Sequence, residues 1–438
     1  MKKYLWWIGV LFILTSIGCT MRNGFEQGIR GEEQEVISLE NNEDKEKEKI
    51  TIWSYYGGWE SVIEEFNEYY PDIEVEAKSY GYEQYVPVYL EALVSGDGPD
   101  IMVIDSTDWS NFNTLSSFEV LSQEPYTAND YKEDFDKEMW EVGKMFGEED
   151  LIGLPFATAP IVTYYRADIL EEYGFPSDPE ALGKFMESPS NWMNMARTLG
   201  LDGKYICQWA SNAVWIANSE GPYFDENLNF IKLTPKFKET IKLSHEIHKE
   251  RLALYADIWM ERGKAALEQG ELVMLYLGSW GANELQALLP EQEGLWRVTR
   301  LPFNIYGWNN STIMSMPKNS KNKDAAWKFI EFYNFKYKQE GVGSIPGYLP
   351  FREDKENLEH ENPFLGGQKD QKVYHEVLNL TREYAPTPLD KEAFTIWERE
   401  LSRGLDEEFT AQETIDNIEH VILEELGEEL EILKEGRK

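Results

Sequence analysis

Residues 50–76 read ITIWSYYGGWESVIEEFNEYYPDIEVE. Ile50 to Ser54 alternates and is rich in β-branched and aromatic side chains, which suits a strand. Tyr55-Tyr56-Gly57-Gly58 turns the chain. Trp59, Val62, Ile63 and Phe66 then recur at spacings of three and four, which sets them on one face of a helix. Pro71-Asp72 stops that helix. IEVEAKS, residues 73–79, alternates again. A second helix is expected over 82–94, closed by Ser95-Gly96-Asp97-Gly98-Pro99. DIMVID, residues 100–105, is a third strand, so apolar that both faces of its sheet must be covered. The β-α-β-α-β order predicts a parallel sheet flanked by helices.

The chain has 438 residues, too many for one ordinary core, so two domains or lobes are expected. With 42% hydrophobic and 14% aromatic residues it is not a disordered chain. A formal charge of -38 disfavours nucleic acid and anionic lipid as partners of the bulk surface. Beyond residue 110 the chain reads as mostly helical to Phe146. LIGLPFATAPIVTYYRADIL (151–170) reads as two short strands around Ala157 to Pro160, then a helix start. Residues 168–270 read as helices and loops. ELVMLYLG (271–278), WRVTRLPF (296–303) and STIMSMP (311–317) read as strands, and KDAAWKFIEFYNF (323–335) as a helix. GSIPGYLPFRED (343–354) is a loop. Ile415, Ile418, Ile422 and Leu426 mark one face of a C-terminal helix.

The first twenty residues are MKKYLWWIGVLFILTSIGCT. Lys2 and Lys3 precede an apolar run, Tyr4 to Ile17, shorter than the roughly 20 residues of a membrane span. Residues 1–18 are read as a signal peptide, and Cys19 as the lipidated first residue of a lipoprotein, although Ser16 stands where Leu is preferred. Residues 19–49 are polar, acidic and poor in aromatics, a flexible lipid-anchored tether. Cys207 is then a lone thiol, expected to be a small buried residue.

No HExxH, GxSxG, Walker or GxGxxG motif occurs. His245 and His248, at i and i+3 on an expected helix, lack a third metal ligand, so a solvated face is the expected role. Counting does not exclude a glycosidase pair among 80 carboxylates, but nothing local marks one. A binder is favoured over an enzyme, with no cofactor and no metal. Tyr55, Tyr56 and Trp59 follow the first strand; Asp105, Asp108 and Trp109 follow the third; Trp280 follows the strand at 272–277. In open α/β sheets ligands bind beyond the carboxyl ends of the strands. Aromatic faces beside carboxylates suit sugar rings, whose C–H patches meet a π-face and whose hydroxyls need acceptors. Packing between lobes is the alternative role for any one of these rings.

Five stretches carry a resemblance. The opening run looks like a strand, a helix and a P-x-I-x-V strand. SGDGPDIMVID (95–105) matches a G-x-x-P-D strand, and LIGLPFATAPIVTYYRADILEEYGF (151–175) a G-x-P crossing followed by Y-N-K-D-L. ALEQGELVMLYLGSW (266–280) and MPKNSKNKDAAWKFIEF (316–332) complete the set. In this order they resemble the extracellular solute-binding proteins of ATP-driven sugar importers, the family that includes the maltose-binding protein, over about residues 50–430. Arg166 departs from the family's Asn, and 176–225 matches poorly.

The resemblance implies a two-lobed, hinge-linked α/β fold, each lobe a mainly parallel sheet flanked by helices. Lobe 1 would be 50–157 and 304–343, and lobe 2 would be 158–303 and 344–438. It implies a protein that captures a sugar and delivers it to an ABC transporter permease; the signal and tether point to lipid anchoring on the extracellular face of a Gram-positive cell membrane, and a monomer is expected. The implied ligand residues are Tyr55, Tyr56, Asp105, Asp108, Trp109 and Trp280, and Trp59 joins them from its place after the first strand. Trp209 and Trp215 come from the variable stretch, Tyr348 from near the last crossing, and Trp397 from the C-terminal helices. Two other readings stand beside this one. One is a receptor of the same fold for a peptide, polyol phosphate or polyamine, with Arg166, Arg297, Arg300 and Arg352 leaving room for an acidic sugar. The other is a secreted enzyme that cleaves glycans.

Overall fold

The computed structural model describes residues 47–338, 345–382 and 386–436. The expected signal peptide, Cys19 and all of the tether before residue 47 lie outside the described residues. Strand β1 spans Glu48–Ser54, β2 Ile73–Ser79 and β3 Ile101–Asp105. β1 pairs in parallel with both β2 and β3, as the β-α-β-α-β order predicts. β1 starts two residues before the expected Ile50, inside the sequence assigned to the tether. Glu48 and Lys49 pair with Ile73 and Glu74, and the Lys49 ammonium lies 2.8 Å from Glu76 and 3.4 Å from Glu74.

Side chains alternate across this sheet with period two. Ile50, Ile52, Ile101 and Val103 pack with Val62, Phe66 and Phe329 on one face. Met102 and Ile104 pack with Tyr85, Tyr89 and Trp109 on the other. The helix Glu60–Tyr69 buries Val62 and Phe66, and Phe66 meets Phe329 and Phe332 of the helix Lys323–Phe335 edge-on at 5.0 and 5.4 Å. The helix Tyr82–Ser95 ends on Gly96, whose φ of 78° closes the last turn through its N–H to the Ala92 carbonyl.

Five more strands complete the sheet: β4 (Leu154–Arg166), β5 (Met274–Gly278), β6 (Trp296–Thr299), β7 (Trp308–Ser315) and β8 (Ile345–Pro346). The order is β2-β1-β3-β7-β4-β5, with β6 and β8 also on β4. The two short strands expected around Ala157 to Pro160 are one strand of 13 residues, buried throughout. Prolines read as breaks because they lack the N–H that a ladder needs. Here the pairing with β7 shifts register between Pro155 and Ala157 and again between Ala159 and Pro160, so the strand passes both prolines without stopping. The first half of β4 pairs with β7 and β8, the second half with β5 and β6.

The sheet is parallel only through β1, β2 and β3; β5 and β6 both run antiparallel to β4. Periodicity carries no strand direction. Direction is set by where the helical stretch after β4 returns the chain. That stretch is helical as expected, and three of its helices open on an N-cap followed by proline: Asp178-Pro179, Ser188-Pro189 and Thr234-Pro235. By contrast, the segment from residue 110 to Phe146 is not mostly helical. Its regular pieces are the 3-10 turn Ala128–Asp134 and the helix Lys137–Val142. Phe118, Leu121, Tyr126 and Phe135 anchor it to the sheet's two covering cores at irregular spacing, which leaves no continuous helical face.

Residues 343–354 were expected as loop; their described part holds β8 and the helical turn Leu349–Arg352. Around the second half of β4, Ile161 and Tyr165 face one core and Val162 and Tyr164 the other. The helices Asp390–Asp406 and Ala411–Gly436 close the first of these, with Ile415, Ile418, Ile422 and Leu426 buried as their spacing predicts. Trp397 is fully buried there, edge-on to Phe394 at 5.5 Å and Phe237 at 6.2 Å, so it is a core residue. Cys207 is buried in the same core. Trp397→Ala should lower the unfolding free energy by about 3–5 kcal/mol, the usual cost of emptying a packed indole site. Urea denaturation with an unchanged midpoint would show that the core does not depend on this ring.

Candidate functional site

β1 and β3 run out beside the start of antiparallel β7, and their ends gather one set of polar and aromatic groups. Asp105, the last residue of β3, accepts hydrogen bonds at Oδ1 from the Thr107 N–H and hydroxyl, both 2.8 Å. Its Oδ2 accepts from the Asn310 side chain at 2.6 Å. Burial pushes the Asp105 carboxyl above its ordinary pKa, and these hydrogen bonds oppose that shift. Tyr55, directly after β1, hydrogen-bonds through its hydroxyl to Thr312 at 3.2 Å. Its ring meets Tyr56 and Tyr82 edge-on at 5.0 and 5.6 Å, and Tyr85 at 5.3 Å. The exposed Tyr82 pairs its hydroxyl with Thr107 at 2.9 Å. Asp108, also buried, accepts from the Tyr85 hydroxyl at 2.8 Å and forms an ion pair with Lys391 of the helix Asp390–Asp406.

A second group sits where β5 ends. Gly278 pairs with Ile161, and Asn310 of β7 pairs with Ala159, so only two residues of β4, about 7 Å, separate the two levels. Trp280 precedes the helix Gly281–Leu288 and stays half-buried. Its indole folds back over Gly278; a Cβ there would lie 2.7 Å from Trp280 Cδ1, so any larger residue would displace the ring. Trp259 faces it at 6.4 Å with an interplanar angle of 32°. Trp209 is exposed and stands edge-on to Tyr255 at 6.3 Å.

The structure thus brings Tyr55, Tyr56, Asp105 and Asp108 together at the β1 and β3 ends. Trp59 lies beneath them: it stacks on Tyr56 at 5.5 Å, donates its indole N–H to the Tyr56 carbonyl at 3.1 Å and packs on Tyr333 at 5.3 Å. Trp109 is fully buried against Phe118 at 6.1 Å. In the 3-10 turn Ser106–Asn111, residues three apart share a side, and Ser106 and Trp109 both point inward. Trp215 is half-buried against the helical core. Tyr348 sits in another aromatic group, with Phe335 at 5.2 Å and Phe351 at 5.1 Å. Sequence reading did not single out Tyr82, Asn310, Tyr255, Trp259 or Lys391. Asn310 near the start of the expected strand and Trp259 outside any expected element were the available signals. Lys391 lies 283 residues from its partner and gave none.

Other polar groups are accounted for elsewhere. Arg166 grips Asp168 at 2.9 and 2.7 Å, and Arg300 reaches Glu180 and Glu187 at 2.7 and 3.0 Å. Arg297 donates to the Gly294 and Trp296 carbonyls, and Arg352 pairs with Asp136. These partners weigh against an acidic ligand at Arg166, Arg297 and Arg300. His245 bonds Thr414 and His248 bonds Tyr255. Among the described residues no group of three or more His, Cys, Asp or Glu is placed to hold a metal, and no helix is long and apolar enough to cross a membrane. A cavity of about 280 Å³ lies against β6, lined by Thr299, Arg300, Tyr306 and Val377, away from the strand-end groups.

A family model for bacterial extracellular solute-binding proteins matches residues 53–336. A lactose-binding protein of Rhizobium radiobacter is 26% identical over 278 residues, 59% of this chain and 63% of that relative's own length. The fold is similar to the galacto-N-biose/lacto-N-biose I-binding protein of Bifidobacterium longum, solved with lacto-N-biose. There the TM-score is 0.73, with 18% identity over 88% of this chain and 98% of that one. A binding protein of B. animalis subsp. lactis, solved with β-1,6-galactobiose, gives a TM-score of 0.69 with 17% identity over 87% and 98%.

Lys391→Met would leave the buried Asp108 carboxylate without its cation. The expected loss is about 1–2 kcal/mol of stability, kept low because half of Lys391 is exposed to solvent. Lys391→Arg should retain most of it. Equal urea midpoints for all three proteins at low salt would remove this pair from the account of the site.

Proposed function

Since the chain belongs to the bacterial extracellular solute-binding proteins, we propose that it captures a carbohydrate, an oligosaccharide, and delivers it to the permease of an ATP-driven importer. The observation that carries this reading is that aromatic and polar groups gather at the ends of β1 and β3 and again at the end of β5, with Asn310 and Gly278 paired to β4 at Ala159 and Ile161. Tyr55, Tyr56, Asp105, Asp108 and Asn310 offer a ring face, acceptors and an amide on one side. Trp280, with Trp209 beyond it, offers stacking surface on the other. Relatives whose names state lactose, lacto-N-biose and galactobiose support sugar as the ligand class.

The lobes in this reading are 50–157 with 304–343, and 158–303 with 344–438. The exchange of β4 partners near Ala159 to Ile161 supports a division at that point, whereas β8, within the segment given to the second lobe, pairs with the first half of β4. Closure of the lobes about β4 would follow ligand binding as a shift between open and closed populations, which the permease reads. Trp59 and Trp109 act as supports for the ligand-facing groups, while Trp215 packs against the helical core and Tyr348 with Phe335 and Phe351. Anchoring of a monomer outside the cell through a lipid on Cys19 belongs to the same proposal. Both carboxylates at the β3 end are engaged, Asp105 by Thr107 and Asn310, Asp108 by Tyr85 and Lys391. That arrangement suits holding hydroxyls better than the proton transfers of glycan cleavage.

A thermal-shift screen of the chain without its first 19 residues, against neutral and acidic oligosaccharides with product analysis of each hit, tests the function. A ligand of the native state raises the melting temperature. A hit recovered intact agrees with a transport receptor; a hit recovered cleaved overturns it in favour of an enzyme. For an intact hit, Trp280→Ala should weaken binding by about 1–3 kcal/mol by calorimetry. Wild-type affinity in that variant would remove Trp280 from the site.

A further inference from the structure

We propose that Tyr164 is a positioning residue for Trp280: its buried hydroxyl, backed by that of Tyr374, fixes the turn that sets the direction of the indole. This rests on the carbohydrate reading above and adds to it a residue that governs affinity without touching the sugar. The first observation is where the Tyr164 hydroxyl goes. Tyr164 lies in the second half of β4, paired with Leu275 of β5. Its hydroxyl donates to the carbonyls of Gly278 and Ser279, at 3.2 and 2.9 Å. These are the last two carbonyls before Trp280. Tyr165, next in sequence, faces a different core and gives its hydroxyl to the Ser177 carbonyl at 2.8 Å.

The second observation is the shape of the backbone around Trp280. A glycine on each side leaves room for a ring: Gly278 lies under the indole of Trp280 itself, and a Cβ on Gly281 would lie 2.6 Å from Tyr164 Cε2. The ring of Tyr164 therefore bears on the first residue of the helix Gly281–Leu288, while its hydroxyl holds the two residues before Trp280. Trp280 is itself the N-cap of that helix, and an indole has no acceptor with which to cap an N–H. The direction of the turn is thus set by Tyr164 from both sides.

The third observation is a count of protons. A tyrosine hydroxyl carries one. With the proton of Tyr164 on a carbonyl, the 2.9 Å hydrogen bond between the hydroxyls of Tyr164 and Tyr374 has Tyr374 as its donor. The order runs from Tyr374 to Tyr164 to the turn, and each bond polarises the next. Burial pushes both hydroxyls far above the ordinary tyrosine range, so neither gives up its proton at physiological pH. Tyr374 is fixed in turn by the helix Asp370–Leu378, whose buried first residue accepts from the Asn362 side chain at 2.8 Å.

The test begins with fluorine NMR of the fluorotryptophan-labelled protein without ligand, the Trp280 signal being identified by its loss in Trp280→Phe. Tyr164→Phe keeps the ring and removes only the hydroxyl. It should shift or broaden the Trp280 signal and leave those of Trp140 and Trp397 in place. Tyr374→Phe, which touches neither carbonyl, should move the Trp280 signal the same way by less, and it carries the test if Tyr164→Phe does not fold. A Trp280 signal unmoved in these variants overturns the proposal. Calorimetry with lactose and with maltotriose follows. Tyr164→Phe should bind about threefold to tenfold more weakly than wild type. In a Trp280→Ala background the same change should cost nothing further, because no ring remains to be positioned. Equal losses in both backgrounds overturn the positioning role. If the wild type binds neither probe, nor any saccharide of the thermal-shift screen, the carbohydrate reading falls, and the Trp280 signal still decides what Tyr164 does.

Discussion

Pro155 and Pro160 cannot donate to the β7 ladder, and the register shifts that accommodate them let β4 run on as one strand through the centre of the sheet. Most of the remaining architecture depends on that continuity. The first half of β4 joins β7 and β8, and through β7 the parallel strands; the second half joins β5 and β6. The first half gives Leu154, Phe156 and Ala157 to one core, and the second half alternates its side chains into two others. A true break at Pro160 would uncouple the ends of β1 and β3 from the end of β5, and the two sides of the site would have no common reference.

The site is also organised by competition for hydrogen bonds. Buried carboxylates need partners, and Asp105 and Asp108 find them in different ways. Asp105 is held by its own turn and by Asn310, which ties β3 to β7. Asp108 is held by Tyr85 on one side and by Lys391 on the other, which ties the β3 end to a helix of the C-terminal core. A strongly acidic chain thus keeps a cation beside one of its buried strand-end carboxylates. Trp59 has a similar supporting role, fixing Tyr56 through a stacked ring and a hydrogen bond to its carbonyl.

Much of this was legible from local pattern. β2 and the helix Lys323–Phe335 have the bounds their periodicity predicts, because each alternates or repeats against one apolar surface. The strand-end positions of Tyr55, Asp105 and Trp280 followed from the same pattern. The unity of β4 did not, since a proline inside a strand is tolerated only where the partner strand shifts register. Nor did the irregular segment from residue 110 to Phe146, whose apolar residues are spaced by the shape of the cores they fill.

The sequence by itself determined the order of elements in the parallel part of the sheet and the residues that stand at its strand ends, because those depend on neighbours a few positions away. Tertiary structure alone decided which aromatic rings are buried and which face outward. Trp59, Trp109 and Trp397 look no different in sequence from Trp209, Trp259 and Trp280, yet the first three are packed away while the others keep ring surface at or near solvent. The physical reason is that burial depends on what arrives from distant parts of the chain: Tyr333 over Trp59, Phe237 over Trp397, and nothing comparable over Trp259 but another indole.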